Sequence, residues 1–219
     1  MTYVSIIDDQ LEPQFNRDLQ YVLKWLDANG NTVNSVSYLP RSVGGTTSTK
    51  NDQTIEEMLQ ELNFDYTRFT LKNYIDHVAA HIGRHLELVP FDLSVATTGM
   101  CVRTKNGDFI FFNENRHRLL QEHIVIHETA HLLFGHQMLR IKMTGELADL
   151  VGSDVDVVAR LRTYDNISHI LDEASKLVDS EQEREAEAFA REFLTQVQVN
   201  KRQEVLKDMR NSRLFPPFN

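Results

Sequence analysis

The run VIHETAHLLFGH, residues 125–136, sets two histidines and a glutamate at the spacing His-Glu-x-x-His inside an otherwise apolar stretch. Residues four apart on an α-helix lie on one face, about 6 Å apart along the axis. His127 and His131 can therefore each turn a nitrogen onto one metal ion. Glu128 is rotated away from that line towards where the attacking water sits, the place of a general base. A zinc ion held by such a pair acidifies water and polarises a carbonyl, and Glu128 accepts the proton. With nine histidines in the chain, a chance match to this motif has a probability on the order of a few per cent. Burial of two imidazoles and a carboxylate in so apolar a helix is costly unless they are partnered, and a metal removes that cost.

A catalytic zinc takes three protein ligands and leaves one position open. His136 is the nearest candidate, but the pattern His-Glu-x-x-His-x-x-Gly-x-x-His needs Gly at 134 and His at 137, where this chain has Phe134 and Gln137. His123 lies about 12 Å along the axis from His131, too far to share its ion. The same distance limits His77, His81 and His85 to a pair, and they read as a solvated or hydrogen-bonded helix face. Cys101 reads as an ordinary small strand residue. In EREAEAFAREFL, residues 183–194, Glu183, Ala186, Glu187 and Ala190 share one helical face, and small alanines there permit close packing against the His-Glu-x-x-His helix. The residues leave both Glu183 and Glu187 open as the third ligand.

HETAHLLFGH followed by E-x-x-A-x-x-F-A-x-x-F-L resembles the ImmA/IrrE family of metallo-endopeptidases, over about residues 71–195. The preceding GDFIFFNE and QEHIVIHE are similar to a strand and helix start in that family. The resemblance implies a zincin-like, gluzincin-type fold, one Zn2+ per chain and Glu183 as third metal ligand beside His127 and His131. Glu187 stands where the family pattern has Asn or Asp, and is expected to accept a hydrogen bond from a ligand histidine. The implied activity is hydrolysis of a peptide bond in a protein substrate, a helix-turn-helix transcriptional repressor by analogy. Two other classes use overlapping residues: a non-proteolytic zinc-binding regulatory module and a small-molecule amidohydrolase. The intact Glu128 favours an enzyme, because a structural zinc site has no need of a base.

These residues must be positioned by a fold. The spacing of Leu19, Val22, Leu23 and Leu26 predicts a helix over 16–28. PRSVGGTTSTKND, residues 40–52, reads as a linker. Helices are expected at 54–62, 70–86, 117–137, 143–162, 167–178 and 183–194. The stretch 100–113 reads as a hairpin turning at Asn106-Gly107, with an edge on which an extended substrate can pair. The expectation is an α+β fold, mostly helical, with a small antiparallel sheet and an active-site helix. Residues 1–53 form an N-terminal helical segment and linker, 54–200 the metallopeptidase domain and 201–219 a C-terminal tail.

A net charge of −9, with no stripe of Lys or Arg, argues against direct nucleic-acid binding and suits a basic protein partner. A single cysteine excludes an internal disulfide. No apolar run approaches the roughly 18 residues that span a bilayer, and MTYVSIIDDQ lacks the features of a secretory signal. A cytoplasmic protein is expected.

Overall fold

The computed structural model describes residues 3–7, 13–31, 53–94, 97–104, 106–136, 138–142, 156–163 and 180–212. Among these, six strands and five α-helices follow the order β1 (Tyr3–Ile7), α1 (Pro13–Ala28), α2 (Ile55–Leu62), a 3-10 turn (Tyr66–Arg68), α3 (Leu71–Ile82), β2 (Leu86–Phe91), β3 (Thr97–Arg103), β4 (Asp108–Asn113), α4 (Arg118–Phe134), β5 (Met138–Lys142), β6 (Asp156–Thr163) and α5 (Ser180–Ser212). The class is α+β. The strands form one six-stranded sheet in the order β1-β5-β6-β3-β4-β2. It is mixed, because β1–β5 and β2–β4 pair parallel and the rest antiparallel. The sheet is thus larger than the small antiparallel one expected from the hairpin alone.

Alternation along β4 decides what each sheet face meets. Ile110 and Phe112 join Cys101 of β3 in the main core with α2, α3, α4 and α5. Phe109 and Phe111 face the other way and meet Trp25 of α1 edge-on, with ring centroids 6.5 and 5.6 Å apart. The stripe Leu19, Val22, Leu23 and Leu26 is fully buried, and Asp18 accepts hydrogen bonds from Ser94 and Thr97. Residues 3–31 therefore supply a sheet strand, β1, and a helix covering the second face; the expected linker 40–52 lies outside the described residues.

Several expected elements end or change where local chemistry dictates. α3 stops at Gly83, which takes the left-handed φ of 66° that glycine adopts without steric cost. The chain then runs into β2, so residues 84–86 are not helical as the expected 70–86 helix requires. β2 is a sheet edge, which tolerates Pro90 and its missing N–H. The hairpin strands end at the paired Arg103 and Asp108. Gly107 is needed there for space: a Cβ would lie 2.8 Å from the His85 carbonyl oxygen. Residues 156–162 of the expected 143–162 helix are strand β6, and β5 precedes it. Both contain a run of apolar–polar alternation (LRIK; ARLR), the period-2 signal of a strand. Residues 143–155 and the expected helix 167–178 lie outside the described residues. α5 runs well past Leu194, so residues 201–212 are helix where a tail is expected.

Asp108 is fully buried and is gripped by both Arg103 and Arg84. Arg103 Nε and Nη2 each donate to it at 2.7 Å, and Arg84 donates at 3.3 Å. The fork fastens the hairpin to the end of α3. Removing the carboxylate takes two 2.7 Å charge-assisted bonds from Arg103, only 14% exposed, whereas Arg84 reaches solvent. Asp108→Asn is therefore expected to cost about 3 kcal/mol of stability and Arg84→Ala under about 1 kcal/mol. Urea denaturation checks this, and equal losses would contradict the assigned roles.

Candidate metal centre

α4 is buried on nearly every side from Ile124 to Phe134, wedged between the sheet and helices α3 and α5. Gly99 of β3 makes the sheet side possible: a Cβ there would come within 2.8 Å of Ile124 Cγ2 and 3.5 Å of Glu128 Cγ and Oε1. Tyr74 of α3 fixes another side. Thr129 Oγ1 donates to the Ile126 carbonyl at 2.8 Å, so the Tyr74 hydroxyl is the donor in its 2.7 Å bond to Thr129. Burial pushes the Tyr74 phenol well above its ordinary range, which keeps that proton in place. The third side is α5, whose Ala186, Phe189, Ala190, Phe193 and Val197 are all buried at helical spacing.

This packing brings three expected residues to one point. His127 Nε2 lies 3.0 Å from His131 Nε2 and 3.2 Å from Glu183 Oε2, and His131 Nε2 lies 3.7 Å from Glu183 Oε1. Donor atoms about 2.1 Å from one ion at tetrahedral angles stand about 3.4 Å apart. The three separations bracket that value, so this group can hold a metal ion. Its two nitrogens and one carboxylate oxygen suit a borderline divalent cation, zinc among them.

A second group, His123, His127 and Glu187, also has its ligand atoms within 4.8 Å of one another. The two groups share His127, and a neutral imidazole offers one lone-pair nitrogen and one N–H. Shielding separates them. His131 is 2% exposed against 21% for His123, and Glu183 37% against 47% for Glu187; a cation's attraction is less screened in the more buried group. With His127 Nε2 turned to His131 and Glu183, its Nδ1 sits 3.4 Å from Glu187 Oε2, and His123 Nε2 is 3.0 Å from the same oxygen. Glu187 is then an acceptor beside a ligand histidine.

Glu128 is fully buried between α4 and Gly99. His136 is outside both donor groups; instead its Nδ1 is 2.8 Å from His131 Nδ1 and its Nε2 is 2.7 Å from Glu185 Oε2. Neither role of His136 or Glu185 is expected from the sequence, although Gly135 before His136 signals the turn that brings it back. His77 bonds the Leu62 carbonyl and His81 faces Glu61 from α3, as a partnered helix face should, whereas His85, expected on that face, lies beyond the helix end and faces Glu87. Cys101 is a buried strand residue. The hairpin offers no free edge: β3 is taken by β6 and β4 by β2, so substrate cannot add a strand there. Among the described residues no helix is long and apolar enough to cross a membrane.

Two glycines separate space from conformation. Gly99→Ala is expected to lower stability by about 1–3 kcal/mol through overpacking and to disturb Glu128. Gly135 has a φ of +69° but nothing within 4 Å of the point a methyl group would occupy, so Gly135→Ala should cost only the left-handed backbone, about 1 kcal/mol. Thermal denaturation with an apolar-dye readout distinguishes the two, since only Gly99→Ala loosens the α4–sheet contact.

No known protein family, curated protein or solved structure matches this chain.

Proposed function

We propose that this protein is a zinc-dependent metallo-endopeptidase of the ImmA/IrrE type. The observation that carries the reading is the convergence of His127, His131 and Glu183, with a fully buried glutamate, Glu128, following His127 in the same helix. When bound, zinc supplies a Lewis acid that polarises the scissile carbonyl and acidifies water. His127 and His131 present Nε2, and Glu183 presents its carboxylate from the neighbouring helix. Glu128 takes a proton from the attacking water and returns it to the leaving amine, the two halves of general acid–base catalysis. Its burial keeps bulk water from competing for that proton. The Glu187 carboxylate, 3.4 Å from His127 Nδ1, adds negative charge beside that ring.

The substrate is a protein, with a helix-turn-helix repressor as the class that the motif resemblance implies. The chain's net charge of −9 favours encounter with a basic partner. A structural or sensing zinc module is the weaker reading, because it gives the buried Glu128 carboxylate no chemical role. A small-molecule amidohydrolase would use the same residues, and a screen of repressor and peptide substrates separates the two.

Purified protein is expected to take up about one zinc per chain and to lose activity to a chelator, measured by elemental analysis and cleavage assay. Two ions per chain would bring the His123–His127–Glu187 group into play as well. Glu128→Gln should retain zinc yet lower cleavage at least about 10²-fold, the contribution typical of a general base; undiminished cleavage sinks the mechanism.

Glu183 and Glu187 can be told apart by metal affinity. Glu183→Ala should abolish tight zinc binding, while Glu187→Ala should weaken it by roughly 10–100-fold. The reverse order would make Glu187 the ligand.

A further inference from the structure

We propose that His136 and Glu185 are positioning residues for His131, forming a hydrogen-bonded relay that dictates which nitrogen of His131 is free to bind metal. The inference rests on the metal reading of the His127–His131–Glu183 group and adds two residues to it. The relay runs from His131 Nδ1 to His136 Nδ1 at 2.8 Å and from His136 Nε2 to Glu185 Oε2 at 2.7 Å. His131 and His136 are both buried, at 2% and 5% exposure, so water does not substitute for either partner.

Proton placement follows from the chemistry of the ends. The Glu185 carboxylate only accepts, so the facing His136 Nε2 carries a hydrogen. A neutral His136 then has its lone pair on Nδ1 and accepts, so His131 Nδ1 donates. That leaves the lone pair of His131 on Nε2, the atom beside His127 Nε2 and Glu183. The opposite arrangement of two neutral rings would set the His136 Nε2 lone pair against a carboxylate at 2.7 Å, which is repulsive. One acidic side chain on α5 thus selects the metal-binding tautomer of a histidine on α4, two rings away.

Local structure explains why His136 is available. Gly135, in the left-handed conformation, ends α4, and the His136 N–H closes the turn on the His131 carbonyl at 2.9 Å. This helix-ending turn folds the His136 ring back beside His131, with centroids 4.9 Å apart. Phe134 stacks on the His136 ring, 5.5 Å away at 16°, and holds its plane.

The test is zinc affinity measured by competition with a chromophoric chelator, together with long-range 1H–15N spectra of the zinc-loaded protein. His136→Phe keeps an aromatic ring but removes both nitrogens, and should weaken zinc binding about 10–100-fold. His136→Asn returns a carbonyl oxygen near the lost Nδ1 and should recover much of that loss, which a merely space-filling role would not give. Glu185→Ala should weaken binding about tenfold and add nothing to His136→Phe, because both cut one relay. The spectra should show His131 protonated at Nδ1. Unchanged affinity in Glu185→Ala, multiplying losses in the double variant, or a proton on His131 Nε2 overturns the relay, and the first and last hold even if His136→Phe does not fold. Wild-type protein that binds no zinc would instead overturn the metal reading itself.

Discussion

How closely α5 approaches α4 sets the whole candidate site. Facing helices ordinarily stand 8–10 Å apart, the distance depending on the side chains between them. Ala186 and Ala190 are fully buried at this contact, and single methyl groups permit a closer approach than larger side chains do. The rotation of α5 is set separately, by aromatics. Phe193 packs on Tyr74 with centroids 4.6 Å apart and Phe189 on Phe134 at 5.7 Å. The face that buries 186, 189, 190 and 193 carries Glu183 and Glu187 along its edge, at positions three before and one after Ala186. A rotation of one residue, about 100°, would carry both carboxylates away from the histidines. Site geometry is therefore a consequence of hydrophobic packing, which sets where Glu183 and Glu187 stand relative to the histidines.

The sequence is most legible where one element's pattern holds the information. His127, Glu128 and His131 come from one helix whose periodicity is plain, and the alanine face of α5 points to the pair Glu183 and Glu187. The buried stripe of α1 and the hairpin strands are legible for the same reason. Legibility fails where a neighbour decides. β6 passes for helix because Val157, Ala159 and Leu161 form a short apolar set that fits either period loosely; pairing with both β3 and β5 makes it a strand. The occupied edges of the hairpin follow from β2 and β6, which no local signal in residues 100–113 announces. Gly83 is a readable stop signal, masked by apolar positions on either side that continue the helical period. The His136–Glu185 contact joins residues 49 apart in the chain, and nothing in either residue's surroundings in sequence marks the other as its partner.

Charge places a further demand on this packing. Glu183, Glu185 and Glu187 lie close together on α5, and each meets a histidine of the α4 region: Glu187 with His123 and His127, Glu183 with His127 and His131, Glu185 with His136. Glu128 adds a fourth carboxylate in full burial. Like charges so close together repel one another, though water screens the partly exposed Glu183, Glu185 and Glu187 more than Glu128, and positive charge among them relieves the repulsion. Protons on the imidazoles or a divalent cation can supply it, and both claim the same nitrogen lone pairs, so metal entry and protonation are competing solutions to one electrostatic problem. The histidines divide the work by their two ends. Nε2 of His127 and of His131 face the shared centre, while their Nδ1 atoms face Glu187 and His136. At His131 the outside contact, through His136 to Glu185, turns the lone pair towards the inside, so an acidic residue of α5 orients a donor of α4.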